Sequence, residues 1–132
     1  MKQQLYSVLF IVAAVFAVVF NSCEKGPTNG NLDNMWQVMT IENLADGVKT
    51  HPEGMYYCIY REVIQLQFQG HKLQTGVLEY KNGILTVDFP MAKPGQLADW
   101  GIQRTSERFE VSLGSSHMTL RSQTAVLELR KF

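Results

Sequence analysis

The feature that most restricts this chain is a period-two alternation near its C-terminus. Phe109-Glu110-Val111-Ser112-Leu113, Met118-Thr119-Leu120-Arg121 and Leu127-Glu128-Leu129-Arg130 alternate apolar and polar residues. Successive side chains of an extended chain point to opposite faces. Phe109, Val111, Leu113, Met118, Leu120, Leu127 and Leu129 therefore share one face, while Arg108, Glu110, Arg121, Glu128 and Arg130 share the other. The pattern predicts antiparallel strands with one dry side and one wet side.

Upstream, Asn82-Gly83 lies between two apolar runs. Both residues tolerate positive φ, so the pair predicts a tight hairpin. Gly70-His71 marks a second hairpin, and residues 55–89 read as a meander. Strands are expected at about 35–42, 55–69, 72–80, 84–89, 107–113, 117–122 and 125–131. The second is longer than a typical strand of about five or six residues. Its inward set (Ile64, Leu66, Phe68) extrapolates back through Glu62 to Tyr60, Cys58 and Tyr56. A charged Glu62 facing inward is costly unless partnered. Either a bulge near Arg61 or Glu62 resets the alternation and splits the run, or Glu62 is a polar group in a cavity. The bulge is the favoured reading. Gln96-Leu97-Ala98-Asp99-Trp100 predicts one helical turn in a long connection that Pro90, Pro94 and Gly95 keep out of the sheet. The fold class is all-β: a single small antiparallel up-and-down barrel of about seven or eight strands. Closure is preferred because it leaves no exposed edge.

The N-terminus is of another kind. Lys2 is the only charge before Glu24, and residues 5–20 form an apolar run broken only by Tyr6 and Ser7. Sixteen residues fall short of the roughly 20 needed to span a bilayer, and the pattern reads as a secretion signal. Val19-Phe20-Asn21-Ser22-Cys23 resembles the lipobox of bacterial lipoproteins, which implies a diacylglycerol thioether on Cys23 and cleavage before it. An uncleaved signal anchor is the other reading, and both tether the domain to a membrane. Residues 24–34 are rich in Gly, Asn and Pro, with Leu32 their only large apolar group, too little to order themselves alone. The expected division is a signal peptide over 1–22, a lipid-anchored flexible spacer over 23–34, and a barrel over 35–132. The expected location is the outer membrane of the cell envelope.

Gly30-Asn31-Leu32-Asp33-Asn34-Met35-Trp36-Gln37-Val38 opens the first strand, and Met118-Thr119-Leu120-Arg121-Ser122 and Leu127-Glu128-Leu129-Arg130-Lys131-Phe132 form the last two. Together they resemble the small lipocalin-like lipoproteins of Bacteroidota, over residues 30–132. The resemblance implies a calycin-type barrel and transfers no ligand. It also implies that Trp36 packs across the closed end, with Arg130 over its ring in a cation–π contact.

Chemistry is sparse. Twelve basic and twelve acidic residues cancel, leaving no electrostatic footprint for nucleic acid. His51, His71 and His117 lack the close spacing of metal ligands. Gly114-Ser115-Ser116-His117 is a turn between strands with no strand-to-helix step around it, so it is no nucleophile elbow. A non-catalytic domain with no metal or cofactor is expected. Once Cys23 is acylated, Cys58 is left alone, read as a small buried hydrophobe. Aromatic residues with one polar handle suit a pocket for an apolar ligand. Trp36, Tyr56, Tyr60, Glu62 and Trp100 are the candidate lining, with Trp100 on a loop that can cover the barrel mouth. A barrel this small can instead be filled by its own side chains. The expected function is binding of a small apolar or amphipathic ligand. The alternative is a protein-interaction or inhibitor module, marked by an exposed patch of Tyr57, Ile59 and Trp100.

Overall fold

The computed structural model describes residues 29–132. The leader expected over 1–22 and the lipid-bearing Cys23 lie outside the described residues. The strands are β1 (Met35–Asn43), β2 (Lys49–Thr50), β3 (Met55–Tyr60), β4 (Val63–Phe68), β5 (His71–Lys81), β6 (Ile84–Asp88), β7 (Ser106–Leu113), β8 (His117–Arg121) and β9 (Ala125–Lys131). β1 and β3 through β9 pair in sequence order, each antiparallel to the next, and β9 returns to β1. This is a closed eight-stranded up-and-down barrel. The β9–β1 seam runs from Trp36↔Lys131 to Asn43↔Ala125. On its other edge β1 pairs first with β3 (Met35↔Cys58 to Gln37↔Tyr56) and then, higher up, with the two-residue β2 (Ile41↔Thr50).

Side-chain phase is reset at three places. The β1 register shifts between Val38 and Thr40, so the buried residues run Trp36, Val38, Ile41 instead of every second position. A second shift lies between Leu66 and Gln67, opposite β5. The third splits the 55–69 run where a bulge was favoured, but as a hairpin: Tyr60 pairs with Val63, and Arg61-Glu62 is a two-residue turn with Arg61 at φ 56°. Met55, Tyr57 and Ile59 face the core on one side of that turn, and Ile64 and Leu66 on the other. Tyr56, Tyr60 and Glu62 consequently belong to the outer wall. The Asn82-Gly83 turn forms as expected, with φ of 54° and 75°. The C-terminal alternation also holds: Phe109, Met118, Leu120, Leu127 and Leu129 are buried, and Arg108, Glu110, Arg121, Glu128 and Arg130 are exposed.

Both ends of the cylinder are stopped. At the lower end, residues 29–34 are part of the domain, a correction to the spacer expected there. Gly30–Leu32 make one 3-10 turn, and Leu32 is fully buried. The Asp33 carboxylate accepts the Asn29 amide N–H (3.2 Å), the Asn29 Nδ2 group (2.7 Å) and the Arg61 N–H (3.0 Å). Asn29 Nδ2 also donates to the Arg61 carbonyl at 2.6 Å. Asn31 Nδ2 donates to the Gly114 carbonyl at 2.6 Å, and its Oδ1 accepts from Lys131 Nζ at 2.6 Å. Asn29, Asn31 and Asp33 thus fasten to the Arg61 and Gly114 turns and to Lys131 of β9 a segment that could not order itself alone. The Trp36 indole N–H donates to the Leu32 carbonyl at 3.0 Å, which locks the stopper to β1.

The upper end is stopped by the connection from β6 to β7, residues 89–105. Phe89, Leu97, Trp100 and Ile102 are buried in it, around a 3-10 turn at Ala98–Trp100. Two glycines make room. A Cβ on Gly76 would lie 2.7 Å from the Phe89 ring, and one on Gly101, at φ 77°, would lie 2.8 Å from Leu127 Cδ1. Replacing Trp36 by Ala removes both the largest group at the lower end and the anchor of the stopper. It is expected to cost about 3 to 5 kcal/mol, as for other buried aromatics, read as a lowered midpoint in thermal or urea unfolding. An unchanged midpoint would show that Trp36 does not carry the core.

Candidate functional site

The chemistry that this barrel offers is concentrated under its upper stopper. Tyr57, from the middle of β3, and Trp100, from the loop, pack with ring centroids 5.9 Å apart at 33°. The Tyr57 hydroxyl donates to the Trp100 carbonyl, so the phenol's one polar group is satisfied inside an otherwise apolar interior. Burial is the main reason that its ionisation lies far above the ordinary value, and the charge of Glu107 adds to it. The group therefore acts as a permanent hydrogen-bond donor.

The expected site residues divide. Trp36 and Trp100 are both buried and inward. Trp36 belongs to the lower stopper and Trp100 to the upper. Tyr56, Tyr60 and Glu62 do not line the interior, because the Arg61-Glu62 turn puts them outside. Tyr60 is 62% exposed, and the Arg61 guanidinium lies 5.2 Å over its ring. Tyr56 stacks edge-on against Phe132 at 5.1 Å. Arg130 does not cover Trp36: it alternates with the buried Leu129, faces solvent opposite His117, and leaves the indole to the Leu32 carbonyl. The exposed patch expected of Tyr57, Ile59 and Trp100 is overturned as well, since all three are buried. Tyr57, rather than Tyr56 or Tyr60, is the interior's polar handle. Leu97, Trp100 and Ile102, large apolar residues in a Pro- and Gly-punctuated loop, were the available signal for the stopper.

Among the described residues, the outer wall carries an apolar groove and a more polar hollow. A groove of about 350 Å³ lies over β1, β3 and β4, lined by Met35, Cys58, Ile59, Tyr60 and Val63 with Asp33, Asn34 and Gln65. A more polar hollow of about 510 Å³ lies over β6 to β8, with Arg104, Arg108 and Arg121 beside Glu107 and Glu110. His51 lies in the connection from β2 to β3, His71 opens β5 at the same upper end, and His117 opens β8 at the other end. Among the described residues no three His, Cys, Asp or Glu side chains gather in metal-binding geometry. Cys58 is half-buried on the outer wall, and that burial raises its thiol pKa, which keeps it protonated and poorly nucleophilic.

The Tyr57 phenol makes stability depend on alkaline pH. Unfolded, it ionises near its ordinary value of 10.0, and folded, far higher. Its contribution is thus intact below pH 10 and is lost progressively as the pH rises beyond it. In an absorbance titration of tyrosinate, Tyr57 is expected to ionise only as the barrel unfolds. Tyr57→Phe is expected to flatten the alkaline fall in stability at a cost of about 1 kcal/mol near neutrality, for one hydrogen bond. A wild-type phenol that titrates freely with the barrel intact would contradict this.

Known proteins place the architecture. A lipocalin-like protein from Bacteroides uniformis superposes with a TM-score of 0.65 at 18% identity, over 78% of this chain and 100% of its own. An uncharacterized protein from Bacteroides eggerthii gives a TM-score of 0.58 at 15% identity, over 75% and 98%. At such identities the likeness concerns the fold alone. No curated protein matches the sequence significantly. The family model for the lipocalin-like domain matches residues 17–132. With the closed eight-stranded meander, that match means that the chain belongs to the lipocalin-like family.

Proposed function

We propose that this protein is a lipid-tethered, non-catalytic lipocalin-like module of the bacterial outer membrane, which takes a small apolar or amphipathic molecule at the barrel mouth. The observation that carries the reading is how that mouth is stopped. The walls are strands, each hydrogen-bonded to a neighbour on either side. The stopper (Leu97, Trp100, Ile102) comes from a single connection between β6 and β7. A loop can swing aside without breaking a ladder, as the lids of binding sites do. Trp100 presents an apolar ring together with a carbonyl that accepts from Tyr57. An amphipathic molecule with an apolar body and one acceptor oxygen offers the same combination, and in this reading it takes the place of Trp100. Pockets of this kind pair a mostly apolar lining with a few placed polar groups.

The tether rests on the sequence: the apolar run over 5–20 and Ser22-Cys23 at its end. Cys23→Ala is expected to move the protein from the membrane to the soluble fraction with its unfolding midpoint unchanged. Retention of the variant on the membrane would contradict acylation as the anchor. For the ligand, native mass spectrometry of the full-length protein in mild detergent is expected to show a small-molecule adduct. Trp100→Ala is expected to raise uptake of the fluorophore anilinonaphthalene sulfonate several-fold. A wild-type protein without adduct, together with a variant that takes up no more dye, would overturn the ligand reading.

A further inference from the structure

We infer that the outer wall around Tyr60 is a membrane-docking face, set against the lipid surface by the short tether. This inference rests on the proposed acylation of Cys23. Tyr60 (62% exposed), Val63 (45%) and Val77 (55%) are consecutive cross-strand neighbours on the outside of β3, β4 and β5, since Tyr60 pairs with Val63 and Val63 with Val77. The groove floored by Met35 and Cys58 continues the apolar surface from Tyr60 toward β1. Tyr56 and the 73% exposed Phe132 extend it across β1. Tyr60, Val63 and Val77 adjoin on three neighbouring strands, and contiguous apolar patches of this kind mark interaction sites.

The route of the chain favours a bilayer as the occupant. Asn29 is bonded through its side chain to the carbonyl of Arg61, the residue next to Tyr60. Cys23 lies six residues before Asn29, and a fully extended chain of that length reaches about 20 Å. A cysteine held at the membrane by its acyl chains therefore keeps the Tyr60 wall close to the headgroups and prevents the domain from standing far off. Residues 24–28 are Glu-Lys-Gly-Pro-Thr and have nothing apolar with which to cover the wall. The wall also has the composition of a membrane interface. Tyr60 carries its hydroxyl at the tip of an apolar ring, Arg61 lies 5.2 Å above that ring, and Arg130 is exposed two residues before Phe132. Aromatic bodies sit at the headgroup level with guanidinium groups snorkelling to the phosphates.

The test uses the full-length acylated protein in vesicles of phosphatidylethanolamine and phosphatidylglycerol that contain chain-brominated phosphatidylcholine. Bromine quenches indole fluorescence only at short range. Tyr60→Trp and, as a control, Glu110→Trp on β7, diametrically across the barrel, are compared after subtraction of the wild-type emission. Both sites are exposed on the outer face, so neither substitution disturbs the core. The indole introduced at position 60 is expected to lose several times more of its emission than the one at position 110. An intact mass without acyl groups would defeat the tether, and this inference with it. An acylated chain whose two introduced indoles are quenched equally would defeat the docking face alone. So would a position-60 indole shielded by a bound protein instead of lipid.

Discussion

Trp36 and Tyr57 face each other across the short β1–β3 seam, and much of the structure depends on that pair. They are register partners, both fully buried, and each has a single polar hydrogen. The Trp36 N–H holds the lower stopper through the Leu32 carbonyl, and the Tyr57 O–H holds the upper one through the Trp100 carbonyl. An unpaired N–H or O–H in such an interior is costly, so the two stoppers and the two aromatics require each other. The β1–β3 junction has little ladder of its own and is supported by what the aromatics attach to it.

This arrangement reconciles a very small barrel with a fold known for enclosing things. An eight-stranded cylinder has an interior just wide enough to be filled by side chains or to hold one small ligand. Here the filling is unequal in kind. The lower half is packed by strand residues and by a segment tied down through Asn29, Asn31 and Asp33. The upper half is packed by strand residues and by a loop. The first is a fixed floor. The stopper of the second comes from a single connection, and the ligand reading proposed above is tied to that mouth rather than to a permanent cavity. The outer wall is uneven too, with Tyr60, Val63 and Val77 exposed on β3 to β5 and a hollow lined by Arg104, Arg108, Arg121, Glu107 and Glu110 over β6 to β8.

Much of the fold was legible because its signals are local. Alternation over residues 109–130 fixes which face is buried, and Asn82-Gly83 fixes a turn through its tolerance of positive φ. The errors cluster at the Arg61-Glu62 turn. Arginine is an uncommon residue at φ 56°, so nothing in its identity announced a hairpin. Missing a two-residue turn in a period-two pattern exchanges the faces of everything on one side of it. Tyr56 and Tyr60 were assigned to the interior for that reason, whereas the favoured break near Arg61 or Glu62 already turned the Glu62 carboxylate to water, where the structure has it. The arginine expected over Trp36 failed for a related cause: Arg130 occupies the outward phase of β9, where the alternation of Leu127, Leu129 and the charged residues had already placed it.

By itself the chain determined an all-β domain, the phase of the C-terminal strands and the Asn82-Gly83 turn, because each of these follows from composition or from neighbours along the backbone. Folding alone decided that residues 29–34 form a floor, that Trp100 and Ile102 enter the lumen, and that Tyr57 supplies the interior hydroxyl. Those outcomes join groups distant in sequence, such as Tyr57 to Trp100 and Asn31 to Gly114. Whether a polar or apolar side chain finds its partner there depends on strand register and loop path, which no short stretch of sequence contains.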